Sequence, residues 1–270
     1  MFKDFYEMKR NPFTRDIPPA DLYESVHVKN AIGRLAYAAD QQLFAVVTAD
    51  AGCGKSTLIR NFVSSLPKDE YIFLYLSDSK LTPRWFYKGM LDQLGIESRF
   101  YRGDAKRQLQ KEIEIIRGVQ NKKVVCILDE AHLLEKETIE EFRFLLNYKF
   151  DSMSPMALVL VGQTELWDKL KLQRYAAVRQ RIDINCVLPH LDRSETELYI
   201  QSHLKYAGGL DNMFTDKALD EIYRESTGIC RTINRIARNC LIYSYQQQRR
   251  VIDDRIVKYV IEHEMIKGIN

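Results

Sequence analysis

Residues Asp50 to Thr57, read as DAGCGKST, gather two glycines, a lysine and two hydroxyls into one short stretch. Residues of these types at this spacing suit the holding of phosphate. Backbone N–H groups in a glycine-containing turn can point inward at phosphate oxygens, and the N-terminus of the following helix favours negative charge. Gly52 and Gly54 allow close backbone approach, Lys55 reaches the β- and γ-phosphates, and Ser56 offers its hydroxyl to Mg²⁺ with Thr57 alongside. ATP and Mg²⁺ are therefore the expected ligands. In the pattern G-x-x-x-x-G-K-[ST], Ala49 stands where the first glycine usually does, while the phosphate-contacting half is complete. Cys53 fits the turn as a small residue; the alternative is a thiol activated at a helix N-terminus, a redox switch.

Holding a triphosphate does not cleave it. The segment VVCILDEAH supplies two carboxylates behind an apolar run, about 70 residues after the loop. Asp129 is expected to hold Mg²⁺ through water, and Glu130 to orient and polarise the attacking water. The plainer alternative is an ordinary acidic pair at a strand end.

These residues need elements to carry them. LFAVVTA, ahead of the loop, is a continuous apolar run of the sort buried on both faces of a parallel sheet. A helix is expected from about Ser56 to Leu66. YIFLYLS, KVVCILDEAH and MALVLVGQ read as further strands, with IDINCVL as a fifth. Helical patterns fall over VHVKNAIGRLAYAAD, about Pro83–Leu94, Ala105–Val119 and near Ile139–Asn147. Alternation of this kind predicts an α/β fold with a parallel sheet covered on both faces. After about Leu188 only helices are expected. Ser194 with Glu197 has capping-box spacing, and Thr215 or Asp216, and Asp253, are candidate N-caps. The expected division is an αβα domain over 1–190, beginning with an irregular segment 1–23, and an all-helical domain over 191–270.

The composition is that of an ordinary globular chain of 270 residues, 46% hydrophobic and 29% charged. Forty basic and 37 acidic side chains leave a net charge of +3, which by itself predicts no nucleic-acid partner. Five scattered cysteines without a C-x-x-C pair argue for a reduced, cytoplasmic chain rather than a disulfide or zinc scaffold. The charged N-terminus is no signal peptide, and no apolar run is long enough to span a membrane.

Taken together, FYEMKRNPF, TADAGCGKSTLIRNF, ILDEAHLL, LVGQTELWDKL, VRQRIDI and GICRTINRIARNCL resemble the AAA+ ATPases. The likeness is to the ExeA-like branch, the general secretion pathway A proteins and related transposition ATPases. It implies an αβα P-loop nucleotide domain with a C-terminal all-helical lid, working as a homo-oligomer, ring or filament, with nucleotide between subunits. It further implies that Gln163 is a sensor of the γ-phosphate and that Arg231 reaches the nucleotide from the lid. Arg181 stands at the family's arginine finger, given to the neighbouring subunit's site, with Arg179 and then Arg174 as the other candidates. NPFTRD and His27 fall where the family lines its adenine pocket. Read without the family, these are a polar strand end, surface arginines and a helix-start histidine.

The client divides the family. One expectation is a transposition helper that assembles with ATP on double-stranded DNA and recruits or activates a transposase. The others are a secretion-pathway assembly ATPase, a nucleotide switch without DNA, and a binding protein with a degenerate site, the last opposed by intact Lys55, Asp129 and Glu130. Secretion relatives continue into a membrane span where this chain stops, so transposition is the expectation here. A DNA surface is expected at Arg84, Lys88, Arg99, Arg102, Lys106 and Arg107, interleaved with Phe100 and Tyr101. The alternative is solvated helix faces. No recognition helix and no acidic strand-cutting cluster is visible, so contact without sequence preference is expected.

Overall fold

A computed structural model describes residues 2–78, 81–146, 154–209 and 212–265. The chain packs as two compact units. One is formed by Val28–Ala51 and Lys55–Leu188, the other by the residues up to His27, Gly52–Gly54 and those from Pro189 on.

The first unit carries β1 (Phe44–Thr48), β2 (Tyr71–Leu76), β3 (Lys123–Leu128), β4 (Ala157–Gly162) and β5 (Ile184–Val187). They form one sheet in the order β2-β3-β4-β1-β5, with every pairing parallel. β1 and β4 are buried at every residue, as expected of central strands covered on both faces. The connecting helices after the N-terminal α1 (Phe2–Phe5) are α2 (Val26–Gln41), α3 (Lys55–Ser65), α4 (Pro83–Gln93) and α5 (Arg102–Gly118). α6 (Lys136–Leu145), α7 (Thr164–Lys171) and α8 (Ala176–Arg179) complete this unit. Leu109, Ile113 and Ile116 of α5, Phe86 and Met90 of α4 and Phe142 of α6 share one core with Val124, Leu158 and Leu160 of the sheet. The 3.6-residue repeat supplies one apolar face per helix, which the apolar sheet buries.

Two boundaries differ from expectation. α5 starts at Arg102 rather than Ala105, so Arg102 and Asp104 are helical. α6 starts at Lys136 rather than near Ile139, and Asn147, its expected end, lies outside the described residues. The short α7, absent from the sequence reading, follows Gln163 directly.

The second unit is built on α9 (Arg193–Ala207), α10 (Asp216–Ser226), α11 (Cys230–Gln246) and α12 (Asp254–His263). The capping box of α9 is Asp192 with Glu195, not Ser194 with Glu197. Ser194 and Glu197 lie inside the helix, where Glu197 accepts from Arg193 at 2.9 Å. Thr215 caps α10 and Asp253 caps α12. The first residues pack here rather than with the sheet, although the sequence reading had grouped 1–23 with the α/β part. Tyr6, Met8 and Phe13 enter this unit's core beside Leu204, Ile236 and Leu241. The N–H groups of Lys9 and Arg10 donate to Ala207 O, and Phe13 N–H donates to His203 Nδ1 at 3.2 Å. Burial pushes the His203 ring down to about 4, so it is a neutral acceptor.

Candidate nucleotide site

The loop leaves β1 at Thr48 and enters α3 at Lys55. Within it only Gly52 (φ 89°) and Gly54 (φ 91°) have positive φ, so an L-residue is tolerated at Ala49 and the missing first glycine costs no backbone strain. Lys55 is buried, and its Nζ donates to the carbonyls of Ala49 at 2.8 Å and Asp50 at 3.1 Å. Ser56 and Thr57 stand exposed in the first turn of α3, which holds no acidic residue to compete with an anion. Thr164 Oγ1 donates to Asp50 Oδ1 at 2.9 Å, tying α7 to the loop's start.

Cys53 is buried and belongs with Gly52 and Gly54 to the helical unit. There the N–H of Arg231 donates to Gly52 O at 3.1 Å. A Cβ on Gly52 would lie 2.9 Å from Arg231 Cβ and 3.1 Å from Ile229 Cγ2, so close approach as well as φ requires glycine. Arg231 is the second residue of α11 and is exposed.

Asp129 and Glu130 follow β3. The two oxygens of Asp129 are held apart: Oδ1 accepts from Glu130 N–H at 2.8 Å and Oδ2 from Tyr75 Oη at 2.7 Å. Burial first, then the bond to Asp129, pushes the Tyr75 hydroxyl well above its ordinary pKa and keeps it a donor. Glu130 sits in the left-handed region (φ 52°, ψ 31°), a conformation that costs a non-glycine residue roughly 1–3 kcal/mol. Gln163 ends β4. Thr48 of β1 is level with Gly162, and Leu160 of β4 is level with Leu128 of β3. The chain segments after β1, β4 and β3 therefore emerge side by side, Gln163 between the loop and the acidic pair, about 5 Å per strand.

Among the described residues no group of three or more His, Cys, Asp or Glu side chains could cage a metal. The donors present fit Mg²⁺, which takes one or two protein oxygens and draws its other ligands from phosphate and water. Ser56 and Asp129 are of that type.

The three arginine candidates separate. Arg179 Nη1 donates to the carbonyls of Leu170 at 2.9 Å and Lys171 at 2.6 Å, closing the C-terminus of α7. Arg174 lies over the Tyr175 ring, 5.1 Å from its centroid. Arg181 precedes Asp183, whose N–H donates to Phe44 O and whose Oδ2 accepts from Phe44 N–H. That places it at the start of β1, with the phosphate loop beyond the far end of the strand, roughly 13 Å on. At this end Arg181 lines a cavity of about 560 Å³ with Asp40, Arg117, Lys123 and Asp183.

The basic segment also divides. Arg84 stands over the Phe100 ring at 4.2 Å and Lys88 over the Trp85 ring at 4.7 Å; Trp85, Phe100 and Tyr101 are exposed. Lys106 and Arg102, by contrast, reach Glu141 at 2.8 and 3.3 Å, and Tyr87 Oη donates to the same carboxylate at 2.7 Å. Arg107 pairs with Asp104 on its own helix, and Arg99 is exposed. Lys106 thus neutralises a buried carboxylate. His27 is exposed in the first turn of α2.

Sequence reasoning passed over Tyr75, Thr164, Lys169 and His132. Only His132 carried a signal, two residues beyond Glu130; the others come from β2 and α7, distant in the chain.

Residues 38–170 match the family model described as an AAA domain. With this sheet and its strand-end residues, that stretch is an AAA domain. The chain is 30% identical over 252 residues to general secretion pathway protein A of Aeromonas hydrophila, a match covering 91% of this chain. The chain spans 45% of that relative's length. Among solved structures, Cdc6p from Pyrobaculum aerophilum superposes with a TM-score of 0.71 at 16% identity, over 96% of this chain and 71% of that one. The Aeropyrum pernix ORC1 protein in complex with DNA gives 0.65 at 13% identity, over 92% and 68%. At these identities the likeness concerns the fold. No helix among the described residues is long and apolar enough to cross a membrane.

Proposed function

We propose that this protein hydrolyses ATP, assembles with it into a homo-oligomer on double-stranded DNA in the cytoplasm, and recruits or activates a transposase. The observation that supports the ATPase reading is the register of the strands, by which the chain segments after β1, β4 and β3, leading into the loop, Gln163 and the Asp129–Glu130 pair, emerge side by side. Loop N–H groups and Lys55 bind the triphosphate. Glu130 orients the attacking water and takes its proton as the bond to phosphorus forms. Mg²⁺, held by Ser56 and Asp129, would neutralise charge on the β- and γ-phosphates. Gln163 senses the γ-phosphate, and Arg231 contacts nucleotide from the helical part. Arg181 lies a strand's length from its own loop, which supports a role in a neighbour's site rather than its own.

The DNA reading rests on Arg84 and Lys88 among exposed Trp85, Phe100 and Tyr101. Cations suit phosphates, and exposed rings suit sugars and bases. Fluorescence anisotropy with a duplex at low salt, with and without a slowly hydrolysed ATP analogue, tests it. Binding is expected to tighten with the analogue and to fall steeply with salt. Charge reversal at Arg84 and Lys88 is expected to abolish it on every sequence with nucleotide affinity intact. No binding at micromolar protein in either state refutes the DNA reading. A secretion-assembly ATPase is the second reading, favoured by the identity to general secretion pathway protein A.

A further inference from the structure

Beside the acidic pair stands a histidine that the proposed hydrolysis does not use. His132 lies in a 3-10 turn, Ala131–Leu133, and its side chain is only 11% exposed. Its Nδ1 is 3.5 Å from Glu130 Oε2, and its Nε2 is 3.1 Å from the amide nitrogen of Gln163. The backbone N–H of Gln163 also reaches Nδ1, at 3.5 Å, so Gln163 and Glu130 meet at the same ring nitrogen: with its proton on Nδ1 the ring donates towards Glu130 and Nε2 accepts from the Gln163 amide, and with its proton on Nε2 the ring accepts from Gln163 N–H at Nδ1 instead. The turn is fixed from outside. Lys169 Nζ donates to His132 O at 2.5 Å and to Leu134 O at 3.0 Å. Gly162 passes so close that a Cβ there would lie 3.1 Å from His132 N. Glu130, in its left-handed backbone conformation, directs a carboxylate that is 46% exposed back at this ring.

We infer that His132 is a positioning residue that couples Gln163 to Glu130, so that the carboxylate is aimed at water only when Gln163 has met a γ-phosphate. The imidazole is rigid and held at its backbone, so moving the Gln163 amide changes the ring's second hydrogen bond and with it the hold on Glu130. This rests on the proposed hydrolysis, with Glu130 as its carboxylate.

The test is a kinetic double-mutant cycle on the full chain, using His132→Ala, Gln163→Ala and the pair, with Glu130→Gln as reference. Each single change is expected to lower kcat by roughly tenfold to a hundredfold, the scale of a misplaced catalytic group, and His132→Ala to do so with the dissociation constant of a slowly hydrolysed ATP analogue unchanged. The pair is expected to be no worse than the worse single change, because both break one linkage. His132→Gln, which keeps a donor and an acceptor, is expected to recover part of the rate. Wild-type kcat in His132→Ala, or effects that multiply in the pair, overturns the coupling. So does a His132→Ala loss that tracks weaker analogue binding and a lowered unfolding midpoint, with no recovery in His132→Gln. If Glu130→Gln itself turns over at the wild-type rate, the hydrolytic reading falls and the coupling with it. If Glu130→Gln is inactive and the cycle is multiplicative, the coupling alone falls.

Discussion

Replacing Lys106 by alanine separates a structural cation from a DNA contact. Glu141 is 7% exposed and is held by three donors: Tyr87 at 2.7 Å, Lys106 at 2.8 Å and Arg102 at 3.3 Å. Burial alone would raise the pKa of this carboxyl. The bonds from Lys106 and Tyr87 and the charges of Lys106 and Arg102 outweigh it and hold the group below its ordinary value. Removing a partner from a fully buried pair costs about 3–5 kcal/mol. Here two donors remain and Lys106 is 24% exposed, so the expected loss is nearer ~2 kcal/mol, the scale of one charge-assisted hydrogen bond. Arg102, 61% exposed, should cost ~0–1 kcal/mol when changed to alanine. The two tryptophans, Trp85 and Trp167, both belong to the α/β unit, so their fluorescence during urea or thermal unfolding reports the right part of the molecule. A drop of roughly 4–8 °C in the fluorescence midpoint is expected for Lys106→Ala. Because the folded carboxyl is the stronger acid, its contribution is present above the unfolded pKa and is lost as pH falls through the folded one. The penalty should therefore shrink on acidification. DNA affinity of the folded protein should stay within about twofold, since one rim phosphate contact at most is lost. A wild-type midpoint combined with lost DNA binding would refute the reasoning and return Lys106 to the DNA surface.

Two further outcomes follow from the geometry. Lys55→Ala should lose ATP binding, and Arg181→Ala should bind ATP without turning it over. Mixing the two should restore activity, because one interface then joins an intact site to an intact finger; no rescue in confirmed mixed oligomers counts against Arg181 acting in trans. His203 should stay neutral from its unfolded pKa of 6.5 down to about 4. Folding stability is then complete above about pH 6.5 and declines below it, by up to roughly 3 kcal/mol near pH 4. Ring titration followed by NMR checks this, and a His203 midpoint near 6.5 would sink the burial argument.

Where the determining contacts are local, the sequence alone was enough. The phosphate loop spans eight adjacent residues, and its strand, turn and helix follow from apolar patterning and two glycines. The five strands and the helical C-terminal part are legible for the same reason, as are the caps at Thr215 and Asp253, where a side chain bonds an N–H three residues on. One shift of two residues was enough to misplace the capping box of α9, since both Asp192–Glu195 and Ser194–Glu197 have the spacing and only packing selects the start. What remained belongs to the tertiary structure, because it joins residues far apart in the chain. Strand order sets Gln163 between the loop and the acidic pair. A glutamate on α6 claims Lys106 and Arg102 from a basic segment that looked uniform. The core of α9–α12 takes Tyr6, Met8 and Phe13, which no linear pattern assigns. Arg181 is sent to the end of β1 opposite the loop. Charge and hydrophobicity name what a residue can do, and only the folding of distant segments decides which partner it meets.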